Sequence, residues 1–252
     1  MENTNIKQAQ FRTGDHLEEL RRRLIYAIAG LVICTAISLV FGAQIINFIE
    51  KPYTDVMGSD APLQTLAPSD GIIAYVGISL VTGLIMSSPW VFYHLWMFVA
   101  AGLYPNEKKY VYSAAPFSAA LFIGGALFFI YIVAPLTLNC LVKFNKNVLG
   151  INSQFTFKNY ISFITSLTSI FGLAFQTPTA IFFLNKTGLV SLKALSKSRK
   201  YVLLIIFIIS AIATPPDVVS QITLAIPLYL LFELGILISY YANRQKVNKE
   251  NG

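Results

Sequence analysis

Several apolar stretches of this sequence carry no charged side chain over the roughly 20 residues that a helix needs to cross the hydrocarbon core of a bilayer. The helices of a small soluble domain do not require runs of this length. The composition agrees, because 55% of the residues are hydrophobic and only 12% are charged. The mean hydropathy of +0.62 is also outside the range of soluble domains. The chain is therefore predicted to be an all-α integral membrane protein.

Six stretches are predicted to form transmembrane helices within a single polytopic membrane domain, residues 1–252. The predicted spans are residues 24–42, 72–101, 110–141, 160–185, 201–213 and 221–241. The fifth and sixth are the short ones, and a short span is accommodated by local thinning of the bilayer or by packing against neighbours. The remaining ends, 1–23 and 242–252, are basic tails.

The basic residues are distributed unequally between the two sides of this predicted bundle. Basic side chains in short loops favour the cytoplasmic side of a membrane or its organellar equivalent. Of the 19 lysines and arginines, only Lys51, Lys143, Lys146 and Lys158 fall on the other side. Both termini are therefore predicted to lie on the cytoplasmic or stromal side. Because orientation explains the formal charge of +7, no nucleic-acid partner is expected.

Prolines occur in most of the predicted spans. A proline removes one backbone hydrogen bond and kinks or breaks its helix, although proline is also simply commoner in membrane helices than in soluble ones. The residues concerned are Pro89, Pro116, Pro135, Pro178 and Pro227, with Pro52 beyond the first span. A bundle of kinked helices is expected.

The segment GDHLEELRRRL precedes the first span and is densely charged. Asp15 is placed to cap the start of a helix, with Glu18 three residues later as the reciprocal acid of a capping box. Glu19 is then left without a role in starting the helix. Its simplest interpretation is a helical ion pair with Arg22 or Arg23, at spacings of three and four residues.

This segment and four others, in the same order along the chain, resemble the TatC family, the multispanning subunit of the twin-arginine protein translocase. The motifs are HLEELRRRL (16–24), LQTLAPSD (63–70), LYPNEKK (103–109), FGLAFQTP (171–178) and ATPPDVVSQITLAIPLYLLFELG (213–235). The last motif is long and specific. Gln176 stands where many members carry a glutamate, and the resemblance is therefore to the cyanobacterial or plastid type.

The resemblance implies a receptor, not an enzyme, that binds signal peptides carrying two adjacent arginines and moves folded proteins across the membrane with the proton motive force. The positions matching the family's two signal-reading glutamates are Glu19 and Glu107, with Leu20, Arg21 and Phe98 as further signal-peptide contacts. The chemistry is suitable, because a carboxylate can accept two parallel hydrogen bonds from a planar guanidinium, which a lysine cannot donate. The simpler alternative for Glu107 is an acidic loop residue that is exposed to solvent beside two lysines.

The resemblance also implies partners within the membrane. Single-span TatA- and TatB-type subunits are expected to dock at a polar site formed by Gln176, Thr214 and Gln221, and further copies of the chain are expected in the receptor complex. Membrane lipid is the surrounding partner. The implied compartment is the plastid thylakoid membrane, with a bacterial inner membrane as the alternative. No cofactor is expected.

Other polar groups lie inside the predicted spans. Glu233 is about 12 Å from the inner end of the sixth span, at 1.5 Å per residue, where a carboxylate is costly and is therefore a candidate functional group. It is expected to be protonated or to pair with Gln176 or Gln221. Asp217 is expected to cap the start of the sixth span. His94 is interpreted as a hydrogen-bonded packing residue in preference to a proton carrier or ligand.

Two other classes of function are compatible with parts of the sequence. Glu233, Gln176, His94 and the prolines are also typical of a proton-coupled small-solute transporter, which is the alternative function. An intramembrane hydrolase is disfavoured because the sequence has no G-x-S-x-G, paired aspartates or H-E-x-x-H. Cys34 and Cys140 lack metal-ligand spacing, so no metal site is expected.

Overall fold

The computed structural model describes residues 2–58, 62–101, 108–151, 154–213 and 218–250. In these residues the chain is helical apart from turns and one parallel backbone bridge between Gln64 and Thr156, so the all-α prediction is confirmed for them. A π-helical turn, Phe129–Val133, joins α4 to α5. The helices are α1 (Glu2–Val40), α2 (Gly42–Met57), α3 (Asp70–Ala101), α4 (Lys108–Phe128), α5 (Ala134–Val148), α6 (Phe157–Ala174), α7 (Thr177–Lys186), α8 (Leu192–Lys197), α9 (Arg199–Ala213) and α10 (Val218–Glu250).

Five helical stretches of the described chain are long and apolar enough to cross a membrane: Glu18–Val40, Asp70–Ala100, Val111–Val148, Phe157–Lys186 and Gln221–Ala242. They correspond to the first four predicted spans and the sixth. The sixth agrees with the predicted bounds to within one residue, although its helix, α10, continues beyond it to Glu250. The predicted fifth span is α9, which is helical but only 15 residues long. The structure thus supports a multi-pass helical protein, and a sixth crossing stays a prediction.

The first helix begins earlier than the sequence indicates. The prediction that Asp15 caps its start is wrong, because α1 is continuous from Glu2 to Val40 and residue 15 lies inside it. No proline occurs before Pro52, so the covalent chain contains nothing that forces a helix boundary near residue 15. The tail and the first span therefore form one helix, and the charged segment lies where that helix enters its apolar stretch.

Breaks in the helices coincide with two of the prolines that were predicted to kink or break them. α6 ends at Ala174 and α7 begins at Thr177, so the fourth span is interrupted next to Pro178. The π-helical turn directly precedes α5, which has Pro135 in its first turn. The remaining prolines lie inside continuous helices, where bending stays a prediction: Pro52 in α2, Pro89 in α3, Pro116 in α4 and Pro227 in α10.

α1 lies at the edge of the bundle and packs chiefly against α3. The two helices are antiparallel, because Tyr26 is beside Trp90 near one end of the contact and Leu39 is beside Tyr75 near the other. The indole Nε1 of Trp90 donates to the Tyr26 carbonyl at 2.8 Å, and the Tyr75 hydroxyl donates to the Leu39 carbonyl. Each end of the contact is thus fixed by a side chain that bonds to the backbone of the other helix.

Gly83 allows the two backbones to approach closely in the middle of this contact. A Cβ at residue 83 would lie 2.7 Å from the Cα and 2.8 Å from the backbone N of Thr35. Backbone atoms cannot move aside as a flexible side chain can, so a larger residue must separate the helices. Small residues at such contacts are typical of helix pairs in membranes.

Gly83→Ala is expected to lower the free energy of unfolding by about 1 to 3 kcal/mol, because the added methyl group overpacks the contact between α1 and α3. Thermal unfolding of the purified chain in detergent, followed by circular dichroism, measures the change. Gly77→Ala is the matched control on the same helix, since a Cβ at residue 77 meets nothing within 4 Å. Equal stability of the two variants would contradict the packing role of Gly83.

The end of the bundle opposite the charged segment is covered by α2, in which Ile49, Pro52 and Tyr53 are buried. Pro52 has no N–H, so this helix lacks one of its usual backbone donors. Tyr160, a fully buried residue of α6, donates its hydroxyl to the Ile49 carbonyl at 2.6 Å. Pro52 therefore lies in a helical turn that is bonded to α6 through a side chain.

Tyr160→Phe is expected to cost about 1 to 3 kcal/mol of unfolding free energy, because it leaves a buried carbonyl without its side-chain donor while preserving the ring. The loss is read from chemical unfolding in mixed micelles. Tyr112→Phe provides the control, since Tyr112 is 58% exposed and loses no buried bond. If the Tyr160 variant is as stable as the control, this hydrogen bond does not stabilise the fold.

The loop between α2 and α3 carries the motif LQTLAPSD and is fastened to the start of α6. The backbone N–H of Phe157 donates to the Gln64 carbonyl at 2.8 Å. The buried carboxylate of Asp70 accepts a hydrogen bond from the Ala67 N–H at 3.0 Å and pairs with Lys158 Nζ at 3.3 Å. This motif therefore caps α3 and joins it to α6.

Candidate functional site

An open groove of about 690 Å³ lies beside α1 at the point where the helix enters its apolar stretch. The described residues that line it are Glu18, Glu19, Arg21, Arg22, Ile25 and Tyr26. The groove thus combines acidic and basic side chains at one end with an aliphatic and an aromatic side chain toward the membrane. It is suited to a ligand that is charged at one end and apolar at the other.

Glu19 is held by the chain's own Arg23, one helical turn further along α1. The Nε of Arg23 donates to Glu19 Oε1 at 3.0 Å, and its Nη2 donates to the same oxygen. The side chain of Glu19 is 31% exposed and that of Arg23 is 19% exposed. The ion pair that helical spacing predicts is confirmed, with Arg23 as the partner. A guanidinium is therefore already bound at the carboxylate that the sequence assigns to reading guanidinium groups.

The antiparallel contact between α1 and α3 sets the level of Glu19 relative to the other helix. Because Tyr26 lies beside Trp90, and α1 continues toward its N-terminus as α3 continues toward its C-terminus, Glu19 is level with the last turns of α3. Phe98 lies in these turns and is half-buried. α3 ends at Ala101 and α4 begins at Lys108, so the intervening segment starts from the same end of the bundle.

The predicted signal-peptide residues are described only in part. Glu19 and Leu20 are half-buried and Arg21 is exposed, all on α1. Glu107 lies outside the described residues, immediately before the first residue of α4. The structure therefore brings Glu19, Leu20, Arg21 and the end of α3 to one end of the bundle.

His94 is buried beside Tyr26, one of the residues that line the groove, with 8% of its surface exposed. Its ring lies against three aromatic rings at centroid distances of 5.7 Å from Tyr26, 4.6 Å from Trp90 and 5.4 Å from Tyr93. Within the described chain neither ring nitrogen has a hydrogen-bond partner. The packing interpretation fits these contacts, but the hydrogen bond expected for it is not found in the described residues.

Glu233 has different partners from those predicted. Its Oε2 lies 2.9 Å from Arg199 Nη2, and its Oε1 accepts the hydroxyl of Tyr229 at 2.8 Å. The predictions of pairing with Gln176 or Gln221 are wrong. Arg199 is the first residue of α9, and the antiparallel neighbour α10 places Glu233 level with it at the same end of the bundle as the groove.

Exchanging the two charges tests this pair. Arg199→Glu and Glu233→Arg are each expected to lower thermal stability, because each places two like charges together in a partly buried site, and the double exchange is expected to recover more than half of the loss. Melting curves of the three variants measure the effect. Lys193→Glu is the control, an exposed basic residue of α8. Strictly additive losses in the double variant would show that the pair contributes nothing.

The residues predicted to dock partner subunits make bonds within the chain. Gln176 Nε2 donates to the Ser118 carbonyl of α4 at 2.9 Å, and Gln221 Nε2 donates to the Phe207 carbonyl of α9 at 2.9 Å. Ser118 is bonded a second time, because its hydroxyl accepts from Trp96 Nε1 at 2.8 Å. Gln176 therefore belongs to a contact that joins α3, α4 and the break between α6 and α7. Thr214 and Asp217 lie outside the described residues.

Several of these contacts are not evident from the sequence. Arg199 belongs to a basic loop whose charges topology already explains, Ser118 is an unremarkable small residue in an apolar helix, and Trp96 has no local polar neighbour. The sequence gives a signal only for Arg199, which is one of the two basic residues directly before the predicted short span. In the described residues no group of three or more His, Cys, Asp or Glu side chains is placed to hold a metal ion.

Comparison with known proteins gives one consistent family. Residues 15–227 match the family model described as TatC, Sec-independent protein translocase protein. The Sec-independent protein translocase protein TatC of Helicobacter pylori J99 is 37% identical over 236 residues, covering 94% of this chain and 92% of that protein. The protein of the same name from Aquifex aeolicus is 35% identical over 232 residues, covering 92% of this chain and 96% of that protein.

The fold gives the same result. The crystal structure of a twin-arginine translocase receptor TatC superposes with a TM-score of 0.82 and 35% sequence identity, covering 90% of this chain and 99% of that one. The named relatives are bacterial, among them also a TatCy protein of Bacillus subtilis that is 31% identical over 242 residues. The expected cyanobacterial or plastid type therefore has no support from these relatives.

Proposed function

The chain belongs to the TatC family of Sec-independent protein translocase proteins, and on this premise we propose that it is the receptor and core subunit of a twin-arginine translocase. It binds signal peptides with two adjacent arginines and takes part in moving folded proteins across the membrane with the proton motive force. The chain is not an enzyme, because the family is one of translocase proteins.

The observation that carries this proposal is the guanidinium bound at Glu19 in an open groove at the edge of an apolar span. A carboxylate that binds one guanidinium in this geometry is suited to binding another. Glu19 and Glu107 are the two acids that read the arginine pair, the second acid coming from the segment that leaves the end of α3. Two separated carboxylates favour arginine over lysine, because only the planar fork of arginine donates two parallel hydrogen bonds to each.

The remaining groove residues fit the rest of such a ligand. A signal peptide continues from its charged end into an apolar segment, and Ile25 and Tyr26 extend the groove toward the membrane. Leu20 on α1 and Phe98 on α3 provide apolar contacts at the level of Glu19. Arg21 orients the neighbouring acids and repels ligands whose positive charges are not placed against a carboxylate.

Glu19→Gln and Glu107→Gln are each expected to weaken binding of a synthetic Arg-Arg signal peptide roughly tenfold or more, because a charge-assisted pair contributes about 1.5 to 3 kcal/mol. Fluorescence anisotropy of the labelled peptide with the full chain in nanodiscs measures the affinity. The same peptide with Lys-Lys is expected to bind the wild-type chain as weakly as the variants bind Arg-Arg.

Glu18→Gln is the matched control for this experiment. Glu18 lines the same groove, is exposed and carries the same charge, but it is not the carboxylate that holds a guanidinium. If all three variants lose affinity equally, the effect is general electrostatics and Glu19 does not read the signal. If neither Glu19→Gln nor Glu107→Gln weakens binding, the receptor proposal for these residues is wrong.

A proton-coupled small-solute transporter fits the structure less well. Glu233 is paired with Arg199, and the Gln176 and Gln221 amides are bonded to backbone carbonyls. These groups are engaged in holding helices together and do not line a path across the membrane. Solute flux by the purified chain alone would favour the transporter, whereas a receptor is expected to move nothing without its partner subunits.

The partners that fit this function are single-span TatA- and TatB-type subunits, with further copies of the chain in a larger receptor complex and lipid around it. Gln176, Thr214 and Gln221 are their docking site. Since the Gln176 and Gln221 amides already bond to carbonyls, a docking helix either uses other atoms of these side chains or exchanges bonds with them. The membrane is a bacterial inner membrane, because the named relatives are bacterial. Both termini lie on its cytoplasmic side, because most of the basic residues fall on that side.

A further inference from the structure

We infer that Arg23 is a built-in substitute for the signal arginine: it occupies Glu19 while the receptor is empty and leaves when a signal peptide binds. Binding at this carboxylate is then an exchange of one guanidinium for another. The inference rests on the proposed function, because it requires Glu19 to be one of the two acids that read the signal.

The geometry of the pair supports an exchange. Two different N–H groups of Arg23, on Nε and Nη2, point to a single oxygen of Glu19. This is the side of a guanidinium that a signal arginine would also present. Arg23 therefore already holds Oε1, one of the two carboxylate oxygens that the parallel hydrogen bonds of a signal arginine require, and two guanidinium groups cannot bind that oxygen in this way together.

Arg23 differs from its two neighbours in position. Arg21 and Arg22 are exposed and line the groove, whereas the side chain of Arg23 is 19% exposed and does not line it. Arg21 is two residues from Glu19 and points to a different side of the helix. The arginine bound to the reading carboxylate is thus not one of the two that line the groove.

A carboxylate at the edge of a membrane is unfavourable without a partner, since the polar group loses part of its hydration. Arg23 supplies that partner when no ligand is present. Exchange for a ligand guanidinium replaces one ion pair of Glu19 by another, so Glu19 contributes less to the net affinity than it would if Arg23 did not compete. A receptor built in this way binds selectively but releases its ligand readily, as transport requires.

A signal arginine binds only the receptors in which Arg23 has left Glu19. The apparent affinity is therefore the intrinsic affinity multiplied by the fraction of such receptors. Arg23→Gln is therefore expected to strengthen binding of an Arg-Arg signal peptide about three- to sixfold, given the usual strength of a helical ion pair that is partly buried. The measurement is anisotropy with the full chain in nanodiscs. Arg22→Gln is the control for the lost positive charge and is expected to give a clearly smaller gain.

The decisive comparison repeats the substitution in a Glu19→Gln chain. There the carboxylate is absent, so Arg23→Gln is expected to give no more gain than Arg22→Gln. An equal gain with and without Glu19 would show that Arg23 acts only through long-range repulsion and would overturn the exchange. A loss of affinity in Arg23→Gln would also overturn it, because Arg23 would then be a residue that orients Glu19 for the ligand.

The experiments distinguish a failure of the proposed function from a failure of the exchange alone. If the wild-type chain binds Arg-Arg and Lys-Lys peptides equally, the receptor role and the exchange are both wrong. If the wild-type chain prefers Arg-Arg but Arg23→Gln gives no gain, only the exchange is wrong. Arg23→Lys replaces the glutamine variant if the latter is not recovered folded, since lysine lacks the fork and is expected to give a gain in the same direction.

Discussion

Polar groups inside a bilayer have no water to bond to, and this constraint underlies the whole structure. It accounts for helices throughout the described chain, and it also explains where their polar side chains point. Donors on one helix repeatedly bond to backbone carbonyls of another: Trp90 to Tyr26, Tyr75 to Leu39, Tyr160 to Ile49, Gln176 to Ser118 and Gln221 to Phe207. The bundle is thus held by side-chain bonds to main-chain oxygens as well as by apolar packing.

Ion pairs follow the same constraint by lying near the ends of the helices. Asp70 and Lys158 join two helices at the end covered by α2, and Glu233 with Tyr229 and Arg199 joins α10 to α9 at the opposite end. The pair formed by Glu19 and Arg23 is different, because both residues belong to one helix and the pair joins no two elements. The contact between Arg23 and Glu19 therefore does not itself join two helices.

Whether a contact could be predicted from the sequence depended on how far apart its two residues lie along the chain. The apolar runs and the Glu19–Arg23 pair depend on neighbouring residues, and both were predictable. The partner of Glu233 was not, because Arg199 lies 34 residues away and the pairing depends on the register of two antiparallel helices. The start of α1 was predicted too late because Gly14 and a local capping pattern at Asp15 were given more weight than the absence of any proline before them.

The close contact at Gly83 has a consequence far from the middle of the membrane. Glu19 is 16 residues from Thr35 along α1, a distance of about 24 Å at 1.5 Å per residue. Since α1 packs chiefly against α3, the direction of its outer part depends on the crossing angle of the two helices, to which the Gly83 contact and the Trp90–Tyr26 bond both contribute. A change of about 5° in the crossing angle there would move Glu19 by about 2 Å. The position of Glu19 relative to the last turns of α3 therefore depends on how closely the two helices approach at Gly83.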